Sequence, residues 1–189
     1  MADKNLVSLL AREDFEGLRA LARQQTSMVL RYLSGRLYSA DETEKWGAVR
    51  GLGAIMADLD IIDESRGADM LRRFFWAMND ESGAVPYGVP EAIGEILVRR
   101  PEFQKEFLPI LCSMLTHEDL IQTGPIERGV MWALGRIGPP VAHISPDVIK
   151  ALKHAAWSHP EEQTRATAAR ALAQVNPATG GAHDPDLTA

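Results

Sequence analysis

The chain has 189 residues, 46% apolar and 24% charged, with a formal net charge of −6. That composition supports a continuous core and argues against wholesale disorder, while net acidity disfavours a nucleic-acid binder that must displace counterions. The single cysteine, Cys112, excludes an internal disulfide framework, and no apolar run approaches the length of about 18 residues that a membrane span needs.

The opening Met-Ala-Asp-Lys-Asn carries no charged-then-apolar leader, so a cytoplasmic protein is expected. Leu6, Leu9, Leu10, Leu18 and Leu21 share one face of a helix expected over Asn5–Arg23, with Gly17 weakening its middle. This helix has no counterpart further on and is read as a cap over residues 1–25, since an end repeat otherwise leaves its apolar side wet.

From Ser27 onward the chain repeats itself. Leu52, Ile93, Leu134 and Leu172 recur at a spacing of about 40 residues, the signature of a helical repeat array. Each is preceded by a small residue (Gly51, Ala92, Ala133, Ala171) and followed by another (Gly53, Gly94, Gly135, Ala173). A branched column follows at Ile55, Ile96, Ile137 and Val175. These registers divide the chain into helix pairs over about 27–59, 68–100, 103–138 and 146–177. The second helix of each pair carries the columns. Gly138-Pro-Pro140 and Asn176-Pro177 are helix stops. Residues 178–189 are small, polar and aperiodic, and are read as a flexible tail. That tail covers the open edge after the last pair poorly, which makes a homodimer a reasonable expectation. No stretch alternates apolar and polar residues between hairpin turns. The fold class is all-α, and residues 1–177 form one domain.

The segment Glu127–Pro139 (ERGVMWALGRIGP) resembles HEAT-like, armadillo-like helical repeats, and in particular the bilin-lyase type. That type carries a second helix like E-V-R-x-A-A-x-A-L-G-x-I-G, often followed by proline. Gln163–Val175 matches with Ala173 in place of the glycine, Trp46–Ile55 matches fairly, and Val89–Ile96 matches by register. The resemblance covers residues 27–177 and implies a short right-handed alpha-alpha superhelix of about four helix pairs plus an N-terminal cap. It also implies that the second helices line a concave face. Such repeats serve scaffolds, adaptors, lyase subunits and a few enzymes, so function must come from the residues.

Two second-helix columns should point away from the seam: Arg50, Glu91, Trp132 and Arg170, and Ala54, Glu95, Arg136 and Gln174. They read either as a partner-binding ladder with Trp132 as its aromatic anchor, or as inter-repeat ion pairs Arg50–Glu91 and Glu95–Arg136. The loop Asn79–Pro90 is longer than turn chemistry requires. Tyr87 within it and Trp76 before it, with Glu91 and Glu95 one turn apart behind it, would make an acidic, aromatic rim suited to a basic peptide or cation.

Catalytic and metal constellations are missing from the pattern. His154 and His159 are poorly spaced for a shared metal, and His117-Glu118 is a single His-Glu pair where HEAT-like di-iron hydroxylases repeat theirs. No nucleophile elbow or phosphate loop is present. Trp76, Trp132 and Asp80 could imitate a HEAT-like DNA glycosylase, but the arginines are interleaved with glutamates. The expectation is a non-enzymatic scaffold or adaptor that holds a protein or peptide, with no cofactor and no metal. The alternative is a lyase- or chaperone-like subunit handling a tetrapyrrole, followed by a nucleic-acid-binding HEAT-like protein.

Overall fold

Aspartate side chains begin three of the helices. Asp14 accepts a hydrogen bond from the Gly17 amide at 2.8 Å, Asp41 from Glu44 at 3.0 Å and Asp63 from Arg66 at 2.8 Å. Each satisfies an amide that the helix itself leaves free. A computed structural model describes residues 2–79, 85–117 and 124–176. Every regular element among them is helical. They are α1 (Ala2–Ala11), α2 (Phe15–Arg36), α3 (Glu42–Met56), α4 (Glu64–Met78) and α5 (Val89–Arg99). A 3-10 turn at Pro101–Phe103 follows, then α6 (Gln104–Thr116), α7 (Gly124–Ile137), α8 (Pro140–Ile144), α9 (Pro146–Ser158) and α10 (Glu162–Val175).

The N-terminal segment departs from the single helix expected over Asn5–Arg23. The chain turns after α1, with Glu13 at φ 53°, and Asp14 restarts it as α2. Gly17, which reads as a weakness in mid-helix, is what the turn requires: a Cβ there would lie 2.6 Å from Asp14 Oδ2 and 2.7 Å from Leu9 Cδ2. α2 then continues into the helix expected from Ser27, broken only at Gln25, whose φ −140° and ψ 49° are non-helical. At the other end, α7 stops where expected, at Gly138 with φ +78°, a conformation glycine adopts without strain. Pro140 then opens the short α8, a position that suits proline because its missing amide has no helical partner.

The helices that carry the columns pack on one another in chain order: α3 on α5, α5 on α7 and α7 on α10. α2, α4, α6 and α9 each pack on the helix that follows, and α1 rests on α2 and α3. Small residues set the closeness of this row. A Cβ on Gly94 would lie 2.8 Å from Ala133 Cα, and one on Gly135 would lie 2.8 Å from Ala171 Cα. On Gly53 it would lie 3.2 Å from Glu95 Cβ. Leu52, Ile93 and Leu134 are buried between these contacts, as are Ile55, Ile96, Ile137 and Val175. Leu172 is only partly buried. It belongs to α10, whose partners among the described residues are α7, α8 and α9, so its far side has no further helix of the row.

Arg100 is a buried clamp that the repeat columns did not reveal. Its Nη1 donates to Met56 O at 2.9 Å and Ile62 O at 3.1 Å, Nε donates to Glu102, and the guanidinium stacks 4.8 Å from the Phe103 ring centre. It thereby satisfies the end of α3 and the turn that follows from a position just after α5. Arg100→Leu should cost about 2–4 kcal/mol, because it leaves two interior carbonyls without donors; urea denaturation measures it.

The seam itself is tested by contrast. Gly94→Leu drives a side chain into the Ala133 backbone and should destabilise by about 1–3 kcal/mol. Gly35→Ala meets nothing within 4 Å and should gain a few tenths to about 1 kcal/mol from helix propensity alone. Equal melting temperatures for the two variants would remove the seam as the source of closeness.

Candidate functional site

The first turns of α3, α5 and α7 face the length of α10 across a groove of about 970 Å³. α3 contributes Glu42, Lys45 and Trp46 to its wall, and α7 contributes Arg128 and Trp132. The opposite side is α10, with Thr167, Arg170 and Gln174. Tyr87 enters from the turn before α5. That turn is fastened to the end of α2, because the Gly88 amide donates to Leu37 O at 2.8 Å. A Cβ on Gly88 would lie 2.8 Å from Lys45 Cγ, so only glycine admits this approach.

An aromatic pair stands in the wall. Trp46 and Trp132 meet edge-on, ring centres 4.9 Å apart at 62°, a geometry favoured by the ring quadrupoles. The Trp46 indole Nε1 donates to Glu42 Oε2 at 2.9 Å, and Lys45 Nζ reaches Glu42 Oε1 at 2.7 Å. Both oxygens of Glu42 are therefore occupied. The Lys45 hydrogen bond, opposed next by burial and assisted by the Lys45 charge and the Trp46 bond, holds this carboxylate below its ordinary range. Lys45 itself is buried and lies 5.4 Å over the Trp46 ring.

Arg128 bonds Glu161 and reaches Thr164 Oγ1 at 3.4 Å, tying α7 to the start of α10. Arg170 is exposed, donates Nε to Ala166 O at 3.2 Å, and has no carboxylate partner among the described residues.

Glu91 lies on the groove's floor, 6% exposed, and its Oε2 has no hydrogen-bond partner among the described residues. Gly129 makes room for it: a Cβ there would lie 2.8 Å from Oε2 and 2.9 Å from Pro90 Cγ. Burial pushes the carboxyl up to about 7, offset in part by its own backbone amide and the charges of Lys45 and Arg128, and reinforced by Glu42. Such a group is poised between acid and carboxylate at neutral pH.

The groove thus gathers Tyr87, Glu91, Trp132, Arg170 and Gln174 from the expected residues and leaves the others outside. Glu95 is buried and accepts from Arg136 Nε at 2.7 Å and Arg99 Nε at 3.1 Å. Glu95–Arg136 is therefore an inter-helix ion pair. Arg50 pairs with Glu13 of the α1–α2 turn at 2.8 Å instead of Glu91. Trp76, on α4, is 74% exposed and does not line the groove. The exposed acidic rim expected around Tyr87 does not form, because both Glu91 and Glu95 are buried. Residues 80–84 of the expected loop, Asp80 included, lie outside the described residues.

Contributors that the columns did not include are Glu42, Lys45, Trp46, Arg128 and Thr167. Trp46 and Arg128 stand one turn before Arg50 and Trp132, just as Tyr87 stands one turn before Glu91, so the same face extended by a helical turn contains them.

Cys112 is buried in α6 with its thiol pushed up to about 12 by burial, which leaves no thiolate for nucleophilic chemistry at neutral pH. Among the described residues no cluster of three His, Cys, Asp or Glu could hold a metal, and no helix is long and apolar enough to cross a membrane.

Glu91 has a measurable signature. Its folded-state value lies above that of an ordinary carboxyl, so the folded state binds more protons between about pH 4.5 and 7 and loses stability as pH rises through that window. The full penalty, about 3 kcal/mol, is present above pH 7 and absent below about pH 4. Glu91→Gln should therefore stabilise the protein at about pH 8 and converge on the parent at about pH 4, as read by denaturant titrations across pH. No family model, no curated protein and no solved structure matches this chain.

Proposed function

We propose that the chain is a short HEAT-like superhelix that holds a peptide segment of a partner protein against its second-helix face, without catalysing a reaction. The observation that carries this reading is the groove of about 970 Å³ with the Trp46–Trp132 pair in its wall. Much of its polar lining is engaged in fixing the wall, Glu42 with Lys45 and Trp46 and Arg128 with Glu161, which suits holding a bound molecule more than acting on it chemically. Aromatic and arginine side chains at the centre of a concavity are the residues that dominate protein interfaces. The row of α3, α5, α7 and α10, joined by small residues in register, supports the repeat reading.

Selection of random dodecapeptides on the displayed wild-type chain tests it. Enriched peptides should bind a Tyr87→Ala/Trp132→Ala variant at least about tenfold more weakly, once that variant is shown to keep the parent's helical circular dichroism and melting temperature. Equal binding to both proteins, or failure to enrich any peptide, would reject the groove as a peptide site.

A further inference from the structure

Beyond the peptide groove and independently of it, we propose that Arg99 and Arg136, joined through the buried Glu95 carboxylate, form a binding site for the phosphoryl group of a phosphate monoester. Glu95 lies on α5, 5% exposed, and gives one oxygen to each arginine. Oε1 accepts from Arg136 Nε of α7 at 2.7 Å, and Oε2 accepts from Arg99 Nε at 3.1 Å. Both bonds use Nε. The Nη atoms, which carry all but one of an arginine's N–H donors, have no hydrogen-bond partner among the described residues in either side chain. These side chains are 39% and 41% exposed. A carboxylate that merely neutralised one arginine would meet its fork in a bidentate pair. Here a single buried carboxylate holds two guanidiniums, leaving one positive charge in excess and both forks unspent.

The surroundings do not cancel that excess. The column through Glu95 runs Ala54, Glu95, Arg136 and Gln174 across α3, α5, α7 and α10, so Glu95 is its one carboxylate. Arg99 lies against α3 at Gly53, its Nε 3.0 Å from where a Cβ would stand. Asp58, one turn beyond Ala54, is taken by Arg23 at 2.5 Å. On the other side Gln174 lies over Gly135, its Oε1 2.6 Å from where a Cβ would stand. Gln174 also lines the groove, so it stands between the groove and Arg136.

The shape of the acceptor decides the class of ligand. A carboxylate has two oxygens, which one planar fork satisfies. Two forks tied to one anchor match a group with three terminal oxygens and a second negative charge, which a phosphate monoester carries at neutral pH. A phosphodiester has two free oxygens and one charge, and so matches one fork only. The monoester has two sources: a free phosphorylated small molecule, or a phosphorylated side chain of a peptide lying in the groove.

The experiment is calorimetric titration of the full chain at about pH 7, with the arginine Nε–H resonances in nitrogen-15 NMR as the address. Phenyl phosphate should shift the Arg99 and Arg136 signals saturably. It should bind at least about tenfold more tightly than acetate or dimethyl phosphate. Arg99→Lys/Arg136→Lys keeps cations opposite Glu95 but offers no planar fork, so it should keep the parent's melting temperature and weaken phenyl phosphate at least about tenfold. Arg72→Gln, paired elsewhere with Asp69 and Glu106, should leave that affinity unchanged. Decapeptides with a central phosphoserine separate the sources. Binding tighter than phenyl phosphate, with the margin lost in Tyr87→Ala/Trp132→Ala, places the phosphoryl group on a groove peptide; binding no tighter assigns a small molecule. Acetate equalling phenyl phosphate, or dimethyl phosphate or oligo-dT exceeding it, would overturn the monoester class, a comparison that needs no variant. Silent Arg99 and Arg136 signals, or full affinity in the lysine variant, would reduce the cluster to a structural triad. Unphosphorylated peptides test the groove separately, so either reading can fail alone.

Discussion

The approach of backbone to backbone along the row α3–α5–α7–α10 is the constraint on which the rest depends. At Gly94 against Ala133 and Gly135 against Ala171 there is no space for even a methyl group. Side chains of ordinary size at these points would push the helices apart, and the leucine and isoleucine columns between them would lose their contacts. The same closeness brings Trp46 and Trp132, from helices that are not neighbours in the row, within 4.9 Å across the start of α5. Gly129 extends the principle to the site, since its missing side chain is the space that the Glu91 carboxyl occupies.

The helices were legible because their signals are local or periodic. Residue types that recur in register at 52, 93, 134 and 172 report burial on a common seam, and the structure buries the first three completely. The beginning of the chain was less legible because its decisive interaction is a competition. Leucines on one face argue for one continuous helix, whereas Asp14 offers its carboxylate to the Gly17 amide and Gly17 leaves room for the fold-back. Periodicity does not weigh one against the other. At the groove, the column through Trp132 pointed to the right face but stopped a turn short of Trp46 and Arg128. The partner of Arg50 could not be read at all, because Glu13 reaches it from the α1–α2 turn, outside the repeat frame.

Two buried ionisable groups receive unequal treatment. Arg100 is 3% exposed and is given two carbonyls, a carboxylate and an aromatic face, with its Nη2 alone left without a hydrogen-bond partner among the described residues. Glu91 is nearly as buried and is left with an oxygen unmatched. The first arrangement fixes the end of α3 against the segment after α5. The second holds a cost in reserve at a surface that faces a groove, which is where local frustration is commonly retained for use.

The one-sided packing of α10 has a mechanical consequence. α5 and α7 are clasped between neighbours of the row on both sides, while among the described residues α10 ends the row and is held by α7, α8 and α9. α10 is also an entire wall of the groove. The cavity is therefore built with one side made by three helices, α3, α5 and α7, and one side made by a single helix. An occupant that bridges the two would tie the last helix of the row to the first as well as to its own neighbour, so that occupancy would couple α3 and α10, which pack on different helices of the row.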